Sequence, residues 1–182
     1  LSSKHNRLRD LLKEHPGGVT ADFFEVCSIL KKAKGFPEIL VMEFLPGKEY
    51  SVDVLADNGQ AQIIIPRTRD KILLGASFLG QVVEEKEIIE YSKKIVENFD
   101  LDTIIGIQFR KDEKGVPKAI EVNPRIHGAA LLSVAAGADL VRLAIKNALG
   151  ESWKNPKIKW GTKLIRYFDE IYQDDNGKFF KI

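Results

Sequence analysis

Two short segments with the same alternation of apolar and polar residues constrain the fold of this chain more than any other feature. They read Ile-Ile-Gly-Ile-Gln-Phe-Arg at 104–110 and Ala-Ile-Glu-Val-Asn-Pro-Arg at 119–125. Successive side chains of a β-strand point to opposite faces, so each segment predicts a strand with one apolar and one polar face. The two patterns agree if the strands form an antiparallel hairpin with a common polar face.

The polar face of this hairpin carries the main candidate for a functional site. A short turn pairs Lys111 with Lys118, and the same register pairs Gln108 with Glu121. Opposed residues of an antiparallel pair share a face with their Cβ atoms about 5 Å apart, so Gln108, Glu121 and Asn123 converge. Carboxylate and amide oxygens with room for water suit a hard cation such as Mg²⁺.

Arg125 follows directly after this cluster and is placed to face an anion that the metal holds. The alternative is an ordinary solvated hairpin, because short patterns of this kind often arise by chance. Alternation alone likewise leaves Glu43, Glu49 and Asp53 as ordinary carboxylates at a strand edge.

The rest of the chain predicts an α+β fold, with a mixed and largely antiparallel sheet flanked by helices. The predicted helices cover 4–14, 20–34 (capped by Thr20), 84–98 and 138–149, and the predicted strands cover 39–44 (buried), 50–56, 61–65, 76–83, 103–110, 116–122, 163–168 and 179–182. Asp57-Asn58-Gly59 predicts a hairpin turn, and 66–71 predicts a basic loop.

Composition excludes several classes of function. The 182 residues carry 28 Lys+Arg and 26 Asp+Glu, a net charge of +2 that gives no strong field for nucleic acid or membranes. No apolar run approaches the ~18 residues of a membrane span, so a cytoplasmic protein is expected. The single cysteine, Cys27, excludes an internal disulfide and a multi-cysteine zinc site, and its apolar neighbours predict a core thiol.

Three sequence blocks together resemble the ATP-grasp superfamily, and within it the large subunit group of carbamoyl phosphate synthase. They are Val-Met-Glu-Phe-Leu-Pro-Gly-Lys-Glu-Tyr-Ser-Val-Asp-Val-Leu (41–55), Gly-Ile-Gln-Phe-Arg (106–110) and Ile-Glu-Val-Asn-Pro-Arg-Ile-His-Gly (120–128). Their order and spacing are more specific than any single block. The resemblance covers roughly residues 39–170 and implies ATP and Mg²⁺ as cofactors, with Mn²⁺ as the alternative metal.

The resemblance also implies roles for individual residues. It makes Glu43, Phe44 and Leu45 the adenine-contacting segment and Glu49 the acid that binds the ribose hydroxyls. It makes Gln108, Glu121 and Asn123 the metal ligands, in agreement with the alternation, and Arg125 the arginine at the transferred phosphate. The implied reaction activates a small carboxylate as an acyl phosphate, which an amine then attacks.

The resemblance is incomplete at the amino-terminal side. The family's lysine-bearing strands and glycine-rich loop precede the adenine segment, whereas residues 1–38 predict helices. The expected division is therefore a helical remnant of the preceding subdomain at 1–38 and a nucleotide- and metal-binding subdomain at 39–182. The chain is expected to be the carboxyl-terminal part of the ATP-grasp domain, inactive alone and partnered by the upstream half of the same protein, with a homo-oligomer left open.

Substrate recognition is the least defined part of the sequence. Arg67 and Arg69 either contact substrate or belong to a solvated basic loop, and His127 either meets substrate or makes a structural hydrogen bond. An alternative to the ligase is a non-catalytic nucleotide-binding or assembly module on the same scaffold.

Overall fold

The computed structural model describes residues 21–32, 35, 38–73 and 75–181. In chain order its elements are α1 (Phe23–Lys31), β1 (Glu49–Asp57), β2 (Gln60–Thr68), β3 (Lys71–Leu73), β4 (Ala76–Gln81), α2 (Lys86–Asn98), β5 (Thr103–Lys111), β6 (Pro117–Asn123), α3 (Leu131–Ala135), α4 (Leu140–Ala148), β7 (Lys163–Ile165), β8 (Tyr172–Gln173) and β9 (Phe179–Phe180). No helix among these residues is long and apolar enough to cross a membrane.

The central sheet has four strands in the order β2-β1-β5-β6, and every pairing in it is antiparallel. β1 is therefore a central strand, and its side chains are buried on both faces. A β1–β2 turn at Asn58 and Gly59, both with positive φ, matches the predicted hairpin. The α+β class predicted from the sequence is confirmed.

Each face of the sheet packs against helices. One face carries Val52, Val54, Ile105 and other apolar residues that pack against α2. The opposite face packs its apolar end, at Leu55, against the small residues around α3 and α4. From Leu55 toward Asp53 and Ser51 this second face becomes polar, and the candidate site lies on this polar part.

The β5–β6 hairpin confirms the pairing that brings the polar residues together. Gln108 lies opposite Glu121, as the alternation predicts. The prediction that Lys111 pairs with Lys118 is wrong, because the register shifts by one residue after Gln108 and pairs Lys111 with Pro117. Such a bulge changes the pairing of one end of a hairpin without disturbing the other end.

A second sheet, β3-β4-β7, lies beside the end of β2. The two sheets approach closely, since a Cβ added at Gly80 would lie 2.4 Å from the carbonyl oxygen of Thr68. An isolated bridge between Arg67 and Val82 joins them further. The space between the two sheets opens as a cleft on the polar face of the central sheet.

Two predictions of local structure are wrong. Residues 39–44 form no strand, and Leu40 and Val41 are 83% and 85% exposed, because no other described strand pairs with them. Residues 66–71 are not a basic loop, since β2 continues to Thr68 and β3 begins at Lys71.

The amino-terminal helices are only partly described. The predicted helix at 4–14 and the predicted Thr20 cap lie outside the described residues. Asp22 caps α1 by accepting a hydrogen bond from the Glu25 backbone. Cys27 is half-buried in α1, so the prediction of a core thiol is wrong.

Candidate functional site

The polar face is organised as two adjacent rows of residues that cross the central sheet. In the first row Ser51 pairs with Arg67 on one side and with Gln108 on the other, and Gln108 pairs with Glu121. In the next row Asp53 lies opposite Gly106, which lies opposite Asn123. The strand pairing therefore brings the polar residues of four strands onto one surface.

A buried ion pair lies at the β1–β2 side of this surface. Arg67 and Asp53 are 1% and 2% exposed, and Arg67 donates to both Asp53 oxygens at 2.8 and 2.6 Å. The Ser133 hydroxyl donates to Oδ2 of the same carboxylate at 2.6 Å. Burial alone would raise the pKa of Asp53, but His127, Arg67 and Ser133 together hold this pKa below its ordinary value.

The imidazole of His127 occupies a slot over Gly106, between Asp53 and Asn123 at the two ends of the second row. A Cβ added at Gly106 would lie 2.2 Å from Nε2 of the imidazole, so only glycine leaves room for the ring. Nδ1 is 3.5 Å from Oδ1 of Asp53, and Nε2 is 3.5 Å from Nδ2 of Asn123. The ring thus lies between the buried carboxylate and the Asn123 amide.

The three residues predicted as metal ligands come together on β5 and β6. Nε2 of Gln108 donates to Oε2 of Glu121 at 2.5 Å, and Glu121 is exposed to solvent. Oε1 of Glu121 and Oδ1 of Asn123 accept no hydrogen bond from the described residues, which leaves both oxygens available. Mg²⁺ needs only one or two carboxylates when waters and phosphate oxygens complete its shell, so this donor set fits it.

Arg69 connects this cluster to the rest of the face. Its Nη1 donates to the Glu49 carboxylate and, at 2.9 Å, to Oε1 of Gln108. Its remaining contacts are to the Gly75 carbonyl at 2.6 Å and to the Ser77 hydroxyl at 3.2 Å. The predicted ribose ligand Glu49 and the amide oxygen of Gln108 are therefore both bonded to the same guanidinium group.

A cavity of about 160 Å³ opens beside these residues, between the two sheets. Its lining is rich in arginine and contains no carboxylate among the described residues: Ser51, Arg67, Arg69, Gly75, Ala76, Ser77, Gln108, Arg125, His127, Gly128, Ala129 and Arg166. Arg67 and Arg69 are neutralised by Asp53 and Glu49, whereas Arg125 and Arg166 form no ion pair in the described part of the chain. Such a lining favours an anion as the occupant of the cavity.

Comparison with known proteins identifies the family. The model of the family described as "ATP-grasp in the biosynthetic pathway with Ter operon" matches residues 35–167, which is most of the chain. The chain belongs to this ATP-grasp family.

Other ATP-grasp proteins resemble the chain over a similar stretch. The carbamoyl phosphate synthase large chain of Caldanaerobacter subterraneus subsp. tengcongensis is 33% identical over an alignment of 135 residues that covers 68% of this chain and 12% of that protein. The corresponding large chain of Lachnoclostridium phytofermentans is 28% identical over 82% of this chain and 15% of its own length. The chain thus spans only a small part of these relatives.

Solved ATP-grasp structures show the same fold. The biotin carboxylase domain of a thermophilic 2-oxoglutarate carboxylase, bound to bicarbonate, has a TM-score of 0.53 and 21% identity over 66% of this chain and 30% of its own. An L-amino acid ligase from Bacillus licheniformis has a TM-score of 0.51 and 17% identity over 71% of this chain and 36% of its own. Identities this low establish the fold alone.

The site residues predicted from the sequence of this ATP-grasp chain, for nucleotide, metal and substrate, are not all in one place. Gln108, Arg69, Arg67, Arg125 and His127 line the cavity, and Glu49 reaches it through Arg69. The adenine segment lies outside this lining. Glu43 and Phe44 are exposed, and the Leu45 side chain is buried, so a ligand can reach Leu45 only through its backbone.

Sequence reasoning missed two residues of this site and was wrong about a third, because Asp53 is buried on a central strand and is not an ordinary carboxylate at a strand edge. Asp53 and Ser133 are buried around Arg67, and Arg166 reaches the cavity from the residue after β7. The available signal was the acidic Asp53 between the apolar residues Val52 and Val54. Arg166 carries no such signal, because only the pairing of β7 with β4 brings it to the cavity.

Proposed function

We propose that this chain is the nucleotide- and metal-binding part of an ATP-dependent ligase that joins a small carboxylic acid to an amine. The observation that carries the proposal is the position of Glu121 and Asn123, with available oxygens, on the face that borders an arginine-lined cavity. A metal beside an anion site is the arrangement that phosphoryl transfer requires. Residues upstream in the same protein complete the ATP site.

The proposed roles follow the predicted ligands. Glu121 and Asn123, with Gln108, hold Mg²⁺ or Mn²⁺, which when bound neutralises charge on the ATP phosphates. Glu43, Phe44 and Leu45 contact the adenine, and Glu49 contacts the ribose. Arg125 lies at the cavity and favours the negative charge that develops on the transferred phosphate.

The reaction proceeds in two displacements. An oxygen of the substrate carboxylate attacks the γ-phosphorus of ATP, the bond to the bridging oxygen breaks, and ADP leaves with that electron pair. The amine nitrogen then attacks the acyl carbon, phosphate leaves, and the nitrogen loses a proton to solvent. No protein nucleophile takes part, so the role of these residues is to position the substrates and to balance charge.

One observation favours a second candidate, a non-catalytic module on the ATP-grasp scaffold. Arg69 bonds to Glu49 and to Gln108, and so occupies both the predicted ribose ligand and one predicted metal ligand. If this bridge persists, it blocks both sites. An Arg69→Ala variant would then bind Mg·ATP more tightly than the native protein.

Calorimetric titration with Mg·ATP, on this chain and on the full-length protein, tests the proposal. We expect Glu121→Ala to weaken binding more than about tenfold, as the loss of a metal-site residue does. Glu113→Ala is the matched control, because Glu113 is an exposed glutamate in the turn of the same hairpin. Equal affinity of the two variants, or no binding by the full-length protein, would contradict the proposal.

A further inference from the structure

The charges around the cavity describe the acid that it can accept. Four arginines line the cavity, and two of them are neutralised within the protein by Asp53 and Glu49. Arg125 and Arg166 remain, with no carboxylate partner among the described residues. The cavity therefore presents two positive charges that no described lining residue compensates.

Arg166 is held in place without using its hydrogen-bond donors. Its backbone nitrogen donates to the Phe78 carbonyl at 2.9 Å, and its guanidinium carbon is 5.8 Å from the centre of the Phe78 ring. Such a cation–π contact orients the guanidinium plane but leaves its edge free. No described residue accepts a hydrogen bond from this guanidinium. The donors are thus available to a bound anion.

The described lining of the cavity also lacks a carboxylate that would pair with a cationic group. No carboxylate lines it within the described ranges, and its polar side chains are serine, glutamine, histidine and arginine. An ammonium group placed here would meet arginine rather than an acid, at a cost that grows as water is excluded. Its volume of about 160 Å³ is below the roughly 300–1,000 Å³ of sites for drug-sized ligands. The occupant is therefore small.

We propose that the cavity binds a small acid with two negatively charged groups and no ammonium group, and that Arg166 holds the group that does not react. The other group, which reacts, lies beside Arg125. This assignment rests on the proposed function, whereas the preference for a dianion rests on the cavity alone. The second anionic group is a carboxylate or a phosphate-like group, since both accept paired hydrogen bonds from a guanidinium. An α-amino acid is not expected to bind.

Four acids of similar chain length test this preference by calorimetric titration of the protein without nucleotide. They are succinate (two carboxylates), butyrate (one carboxylate), 4-aminobutyrate (an ammonium in place of the second carboxylate) and 3-phosphonopropionate (a phosphonate in its place). We expect succinate or 3-phosphonopropionate to bind at least tenfold more tightly than butyrate and 4-aminobutyrate. Whichever of the two dianions binds more tightly identifies the second group.

Substitution of Arg166 tests the residue itself. We expect Arg166→Gln to lower the affinity for the dianion to that for butyrate, with Arg166→Lys intermediate. Arg142→Gln is the control, because Arg142 is exposed on α4 and does not line the cavity. Thermal unfolding of each variant separates loss of the site from loss of the fold.

The inference is overturned if 4-aminobutyrate binds as tightly as the tighter-binding of the two dianions, if no dianion binds at millimolar concentration, or if the Arg166→Gln variant, still folded, retains the native preference. Failure of the proposed function gives a different result. In that case the dianion preference persists while Mg·ATP does not bind.

Discussion

Two neighbouring regions of one sheet face satisfy their charges in opposite ways. Asp53 and Arg67 are buried and bond to each other and to Ser133. Glu121, on the other side of the same face, is exposed and bonds only to Gln108 among the described residues. Buried charges must find partners inside the protein, whereas exposed charges can use water or a ligand. The first region therefore stabilises the fold, and the second is available for binding.

The largest effect is expected from breaking the buried pair. Asp53→Ala leaves Arg67 buried without its carboxylate, which typically costs about 3–5 kcal/mol in the free energy of unfolding. Denaturant unfolding measures this loss. A double variant with Arg67→Met is expected to be more stable than Asp53→Ala, because it no longer buries an unpaired charge. If the double variant is the less stable of the two, the uncompensated charge is not the cause.

Acid weakens the same pair less severely, because protonated Asp53 keeps part of its hydrogen bonding. The folded pKa of Asp53 lies below its ordinary value of 3.8, so folding favours the ionised form. Its contribution to stability is complete above the unfolded pKa and is lost as pH falls through the lower folded pKa. As the pH is lowered from neutrality to the folded pKa of Asp53, the unfolding midpoint should fall more steeply for the native protein than for Asp53→Asn. Parallel curves would contradict this.

The slot for His127 links the two regions, and closing it should have a smaller effect. Gly106→Ala places a Cβ 2.2 Å from the imidazole, and overpacking of this kind costs about 1–3 kcal/mol. Gly128→Ala is the matched control, since nothing lies within 4 Å of a Cβ added there. Thermal unfolding of both variants tests the prediction. Equal stability would mean that the ring moves aside without cost.

The contrast between the two regions also explains what the sequence could predict. The Gln108–Glu121 pair follows from alternation in two strands joined by a short turn, which is local information. The Asp53–Arg67 pair does not. Continuous pairing from the β1–β2 turn would put Arg67 opposite Tyr50, on the other face of the sheet. A bulge between Leu55 and Ala56 shifts the register and places Arg67 opposite Ser51, beside Asp53.

The exposure of residues 39–44 could not be predicted from the sequence, for a related reason. An apolar run of this length is typical of a buried strand, but burial depends on a partner elsewhere in the structure. No described strand pairs with this segment, and Val41 remains exposed. Arg166 shows the converse, because the β4–β7 pairing alone gives an ordinary arginine a place in the cavity.

The smallest effect on stability is expected at Glu121, in the exposed region. Glu121→Gln removes a charge that is solvated and that forms no ion pair in the described part of the protein, so the free energy of unfolding should change by no more than about 0.5 kcal/mol. The amide can still bond to Gln108, which preserves the hairpin. Removal of the charge should nevertheless weaken Mg·ATP binding, because an amide is a poorer ligand for Mg²⁺ than a carboxylate. Denaturant unfolding and calorimetry on the same preparation measure both quantities. If Glu121→Gln destabilised the fold as much as Asp53→Ala, the two regions would not differ as proposed, and Glu121 would be a structural residue.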